Sequence, residues 1–341
     1  MLTIMALLTT VALSANTHAF RLVTQDDPNL RHLENEIARL AQSIDGRMGV
    51  GAVHLESGRA IYLNRDEPFP MASTYKVAIA TQLLRRVEKG DFTLDSLITV
   101  QSSDLHPGSG MIADLLDDPG VILSVRNLLE LMLLISDNSA TDIMLRTAGG
   151  SNAVNRRLEE LDVSGVRVDR STVRLISDFL GLQIRNVESL SRDSLGTLYS
   201  QLSEAQQEAA ADAFRSDLRD TATPAGMAFL LTKIWRGQAL SSEYTSLLLD
   251  IMTRCETGPG RLKGRLPDNV ELAHKTGTIG GTTNDVGIIT LPEDAGHVVA
   301  VVFVKDSERP IEERETAIAQ VGRAIYDYFV FNRMSAAKTQ M

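Results

Sequence analysis

The sequence predicts a mixed α/β fold of two domains, an α+β arrangement. Its centre is a five-stranded antiparallel sheet flanked by N- and C-terminal helices, with an all-helical domain inserted. Short alternating apolar runs cluster towards the two ends of the chain, the long stretch from about residue 124 to 250 has mostly helical periodicity, and the outermost patterned stretches are amphipathic helices. Strands so far apart in sequence must meet in one sheet. The sheet domain is therefore discontinuous, residues 20–70 with 225–341, and residues 71–224 form the helical domain.

Taken in order, Asp27-Pro28 opens a helix to about Ile44, with Leu30, Leu33, Ile37, Leu40 and Ala41 at helical spacing. Gly46 to Leu55 and Arg59 to Leu63 alternate around Ser57-Gly58, a hairpin signal. A helix carrying Ser73 ends near Lys89-Gly90, a basic last turn followed by a stop glycine. Two helices fill Ser124 to Gly149, broken at Ser136-Asp137-Asn138, and Ser189 to Phe214 reads as an exposed amphipathic helix or pair. Val270 to Thr278, Thr283 to Leu291 and His297 to Lys305 are strands between turn-rich breaks. A last amphipathic helix covers about Ile311 to Phe331.

The 341 residues, 43% hydrophobic, suffice for a sizeable core, and a net charge of -10 argues against a nucleic-acid partner. No run reaches the roughly 18 apolar residues of a spanning helix; Leu128 to Ile135 is short and carries Glu130. Met1 to Val11 is nearly all apolar or Thr, and small residues follow to Ala19. Residues 1–19 are read as an export leader cleaved after Ala19, although its usual basic start is missing, and a periplasmic or secreted protein is expected. The single Cys255 can form no intramolecular disulfide, and with nothing near it to supply a base it reads as a small buried hydrophobe. Six scattered histidines show no metal-ligand spacing, so neither metal nor other cofactor is expected.

The chemistry is placed at Met71-Ala72-Ser73-Thr74-Tyr75-Lys76-Val77. Ser73 and Lys76, three apart on a helix, share one face, and a neutral lysine can take the proton that keeps a hydroxyl a poor nucleophile. Such a lysine needs a buried, electropositive site. By itself the pair arises by chance in many chains. Ser136-Asp137-Asn138 alone would be turn chemistry, and Lys275-Thr276-Gly277-Thr278 alone an edge strand with a glycine.

Together, in this order, on a helix, in a loop and on a strand, the three segments resemble the class A serine β-lactamase family. Pro107-Gly108-Ser109-Gly110 and Asp217-Leu218-Arg219-Asp220-Thr221-Ala222-Thr223-Pro224 extend the resemblance over nearly the whole exported chain. It implies a nucleophile at Ser73, activation involving Lys76, and proton relay through Ser136 to the departing ring nitrogen. It implies that Asn138 holds the substrate amide, that Lys275 and Thr276, with Gly277 beside them, bind the substrate carboxylate, and that the backbone N–H groups of Ser73 and Thr278 form an oxyanion hole. The implied partner is a small β-lactam or an acyl-D-Ala-D-Ala peptide of the peptidoglycan type, acted on by a monomer. A peptidase or esterase, and a sensor that acylates without turnover, are the alternatives.

The pattern breaks at the family's Glu-x-x-Leu-Asn motif. Val168-Asp169-Arg170-Ser171-Thr172-Val173-Arg174-Leu175-Ile176 stands there, with Thr172 in the glutamate's place and Ile176 in the asparagine's. Arg170 and Asp220 suit the ion pair that closes the family's omega loop, but the 168–220 region is much longer than usual, with an insertion at about 175–216. Asp178, Glu188, Glu204 and Glu208 are carboxylates that could fold back towards Ser73, although a solvated surface is the plainer reading of each. The family's carboxylate-binding arginine has no counterpart in Ile279 to Ile289; Arg309 is a stand-in.

Overall fold

The structure, a computed structural model, describes residues 28–106, 108–182, 184–190 and 192–332. The leader at 1–19, the Asp27 helix start and Pro107 of the Pro-Gly-Ser-Gly loop lie outside the described residues.

Helix α1 (Pro28–Ala41) ends three residues before the expected Ile44, because the Ser43 hydroxyl donates to Leu40 O at 2.7 Å and turns the chain into the sheet. Strands β1 (Arg47–His54) and β2 (Ala60–Leu63) form the expected hairpin. A 3₁₀ turn at Ala72–Tyr75 leads into α2 (Lys76–Glu88), and Gly90 with φ 79° stops the helix. Helices α3 (Val125–Leu134), α4 (Asn138–Thr147), α5 (Ser151–Glu160) and α6 (Thr172–Phe179) follow. The predicted exposed helix or pair is a pair, α7 (Arg192–Ser200) and α8 (Glu204–Arg215). Helices α9 (Pro224–Trp235) and α10 (Ser242–Thr253) lead to β3 (Leu272–Ile279), β4 (Thr282–Thr290), β5 (His297–Lys305) and α11 (Ile311–Phe331).

The five strands form one antiparallel sheet in the order β2-β1-β5-β4-β3, so the first hairpin pairs with the last strand. Both faces are covered, and the two-residue period of β5 feeds two cores. Val299, Val301 and Phe303 pack with Tyr75, Leu83, Met132 and Ile143 towards the helical domain. Val298, Ala300, Val302 and Val304 pack with Leu33 and Ile37 of α1 and Ile325 and Phe329 of α11. The insertion carries a small core of its own, Val173, Leu182, Val187 and Leu195, which explains why a loop so long stays compact. No described helix is long and apolar enough to cross a membrane.

Candidate active site

The Ser73 segment is fixed by its neighbours before any side-chain chemistry begins. Ala72 has φ 46°, a left-handed conformation unusual for a residue with a side chain, and it aims the start of the Ser73 turn. The Asn284 amide of β4 donates to Pro70 O at 2.8 Å and Met71 O at 2.9 Å and holds that bend in place. Strand β3 passes so close that a Cβ at Gly277 would lie 2.5 Å from Met71 O and 2.9 Å from Ser73 N. Only glycine fits there. The strand backbone is thereby brought against the Ser73 amide, and Ser73 itself is half-buried.

Three signature segments meet at Ser136. Lys76 is fully buried, and its Nζ donates to Ser136 O at 2.7 Å, Ser136 Oγ at 3.0 Å and Asn138 Oδ1 at 3.2 Å. Lys275, also fully buried, reaches the same Ser136 Oγ at 3.0 Å and Thr276 O at 3.0 Å. Ser136 has φ 62°, and Asp137 caps α4 through Ala140 N at 2.8 Å while its other oxygen accepts Met111 N and Ile112 N. The polar loop is therefore both turn chemistry and the floor of the site.

Burial without a counter-ion, and then the charge on Lys275, hold Lys76 well below the ordinary lysine value, against weaker opposing pulls from Asp137 and Asp142. Lys275 is lowered by burial to about 8, with Cys255 and Asp285 favouring its charge and Arg261 opposing it. A neutral Lys76 has two N–H donors and one lone pair. Charged Lys275 can then donate to Ser136 Oγ while the Ser136 hydroxyl donates to Lys76, a directed path for a proton.

The expected carboxylates stand elsewhere. Asp178 is held by Arg170 at 2.9 Å and Arg219 at 3.1 Å, Glu188 pairs with Arg174, and Glu204 and Glu208 are exposed on α8. Among the described residues none of the four bonds to Ser73, Lys76 or Ser136. The ion pair at the neck is present: Arg170 Nε meets Asp220 Oδ2 at 2.5 Å, both side chains buried. Within the loop, Asp142 accepts Thr172 N at 2.6 Å and Val173 N at 3.0 Å. The Thr172 hydroxyl is bound to the Tyr75 hydroxyl at 2.5 Å. Gly108 lies between Asn138 and Ile176: a Cβ there would meet Asn138 Nδ2 at 2.8 Å and Ile176 Cδ1 at 3.9 Å.

Two readings need correction. Arg309 pairs with Glu313 on α11, whereas the arginine under the signature strand is Arg261, whose guanidinium donates to Gly277 O, Asn284 O and Thr278 Oγ1 at 3.1, 2.9 and 2.6 Å. No sequence signal separates Arg261 from the other arginines; it lies fourteen residues before Lys275 on a Gly-rich turn. Cys255 is half-buried and not alone, since the fold sets the imidazole of His274 beside it. That adjacency, invisible in sequence, gives the thiol a charged imidazole as neighbour rather than a base.

The chain was compared with known proteins. A family model described as the beta-lactamase enzyme family matches residues 32–329. Beta-lactamase VEB-1 of Pseudomonas aeruginosa is 26% identical over 321 residues, 91% of this chain and 95% of that protein. A beta-lactamase of Bacteroides uniformis is 27% identical, covering 87% and 91%. Among solved structures, a beta-lactamase from Chitinophaga pinensis superposes with a TM-score of 0.72 at 29% identity, covering 87% of this chain and 98% of that one. TLA-1 extended-spectrum beta-lactamase superposes with a TM-score of 0.73 at 28% identity, covering 88% and 99%. A match across nearly the whole fold, joined to the meeting of the three signature segments at Ser136, places this chain in the β-lactamase enzyme family, hydrolases of β-lactams, as a class A-like member.

Proposed function

We propose that the protein opens β-lactam rings through an acyl-enzyme on Ser73 and releases the opened product slowly. The observation that carries this is the Ser136 hydroxyl held at 3.0 Å by both Lys76 and Lys275. Neutral Lys76 takes the Ser73 proton as the hydroxyl attacks the lactam carbonyl. Backbone N–H groups of Ser73 and Thr278 receive the oxyanion, and the close passage at Gly277 supports that role. Collapse of the tetrahedral intermediate expels the ring nitrogen, which takes a proton from Ser136 while Lys76 replenishes it. Asn138 holds the substrate amide. Lys275 and Thr276 bind its carboxylate.

Hydrolysis of the ester needs a base on a water. Thr172 and Ile176 occupy the relevant positions, and neither can act as one. The reading favoured is therefore fast acylation with slow turnover, which leans towards the acylating sensor more than towards a peptidase. Export of the chain and action as a monomer outside the cytoplasm belong to the same proposal.

Mixing with excess chromogenic cephalosporin tests it. The expected trace is a burst of about one equivalent, then a linear phase at least about 100-fold slower, the low end of what a positioned general base contributes. Absence of any colour release would overturn the β-lactam reading. Efficient linear turnover without a burst would overturn slow deacylation.

A further inference from the structure

Four side chains beside the proposed carboxylate subsite have no part in the chemistry above. His274 immediately precedes Lys275 on β3 and is buried, with Nδ1 2.9 Å from Oδ1 of Asp285, itself fully buried on β4. Asp285 Oδ2 also accepts Leu262 N at 3.1 Å, which fixes the carboxylate. The ring thus donates Nδ1–H to Asp285, and the imidazole bears electrostatically on Cys255. From Cys255 the path continues through hydroxyls: Sγ is 3.3 Å from Thr257 Oγ1, and Thr257 Oγ1 is 2.5 Å from Thr276 Oγ1. A hydrogen-bonded chain runs from Cys255 through Thr257 to Thr276, with the Asp285–His274 pair beside its sulfur end.

A hydroxyl carries one proton, so hydrogens along a chain of hydroxyls point the same way. We propose that Cys255 and Thr257 are positioning residues for substrate binding, which set whether the Thr276 hydroxyl proton points at the substrate carboxylate or away from it. This rests on the reading of Lys275 and Thr276 as the carboxylate subsite. With a neutral thiol, S–H donates to Thr257, Thr257 donates to Thr276, and the Thr276 proton is left for the substrate. With a thiolate the chain reverses: Thr257 donates to sulfur, Thr276 donates to Thr257, and the substrate carboxylate meets lone pairs.

The groups facing the sulfur are His274 and Lys275 from β3, Asp285 of β4 behind the imidazole, and Thr257 from the turn after α10; Arg261 bears on Lys275. Burial would push the thiol up, but the imidazole of His274 and the charge of Lys275 bring it to about 7. Burial likewise opposes charge on His274, yet Asp285 and Cys255 raise it to about 10, so the imidazole stays charged while the thiol titrates.

The test compares acylation efficiency for one β-lactam carboxylic acid and its methyl ester between about pH 6 and about pH 8, a window centred on the thiol. In the unaltered protein the preference for the acid should fall as pH rises through about 7. Thr257→Val should lower that preference about tenfold at the acid end, the worth of one hydrogen bond to a charged group, with the ester rate unchanged. Cys255→Ser, which keeps a donor that does not ionise, should lose the step near 7 and retain only the later fall as Lys275 loses its charge near 8. The inference is overturned if Thr257→Val slows acid and ester equally, or if Cys255→Ser keeps the step. An unaltered protein with no preference for the acid would instead overturn the subsite reading beneath it.

Discussion

Tyr75 and Thr172 meet hydroxyl to hydroxyl at 2.5 Å, and both side chains are buried. Burial, and then the neighbouring charge of Asp142, raise the Tyr75 phenol well above its ordinary value, so it stays neutral. The place where the resemblance puts a deacylating carboxylate thus holds two buried hydroxyls bonded to one another.

Replacing that contact with a carboxylate should restore hydrolysis. Thr172→Glu in a Tyr75→Phe background is expected to speed the slow phase about 100-fold, with the burst unchanged. Stopped-flow colour release reads both phases. Asp178→Asn, Glu188→Gln, Glu204→Gln and Glu208→Gln should each leave the slow phase alone; a slowed phase in any one would expose a base acting from the insertion.

Gly277→Ala asks whether the close passage of β3 is needed for acylation. The added Cβ would lie 2.5 Å from Met71 O, so strand and nucleophile turn must part. The loss expected is at least about 100-fold in the burst rate, comparable to removing one oxyanion donor. Circular dichroism should show the fold retained.

The pH profile of acylation has two limbs with different owners. Lys76 must be neutral to accept a proton, and its lowered value places the acid-side fall well below that of an ordinary lysine. Lys275 must be charged to hold a carboxylate, so beyond the fall assigned to Cys255 near 7, acylation of carboxylate substrates should decline again as pH rises through about 8. Lys275→Arg keeps its charge and should move the alkaline limb upward. Burst rates across the range check both limbs.

Arg170→Ala would leave Asp220 buried and uncompensated. Breaking such a pair costs about 3–5 kcal/mol, and the change should appear as a lower urea midpoint. Arg170 also holds Asp178 and Asp217 at 2.9 and 3.0 Å, so protease cleavage within the insertion should speed up as well.

The sheet and its flanking helices were legible because their patterns are strong: β5 alternates between two cores, and α11 runs from Ile311 to Phe331 as its periodicity predicts. The meeting of Lys76, Ser136 and Lys275 was legible because a motif binds each residue type to its neighbours. What stayed hidden depends on distant segments meeting. Arg261 and Asn284 act through backbone carbonyls, and any surface arginine or strand asparagine reads the same in sequence. Cys255 gains a cationic neighbour only because β3 brings His274 beside it. Thr172 could be recognised as the wrong residue for a base, but not as the partner of Tyr75, 97 residues away.

Intact mass after brief exposure to a penicillin, followed by peptide mapping, bears most directly on the covalent step. The account predicts one added mass equal to the whole antibiotic, carried on the peptide containing Ser73, persisting far longer than it takes to form, and absent in Ser73→Ala. An adduct that survives in Ser73→Ala, or no adduct on a folded protein that still consumes the drug, would contradict it.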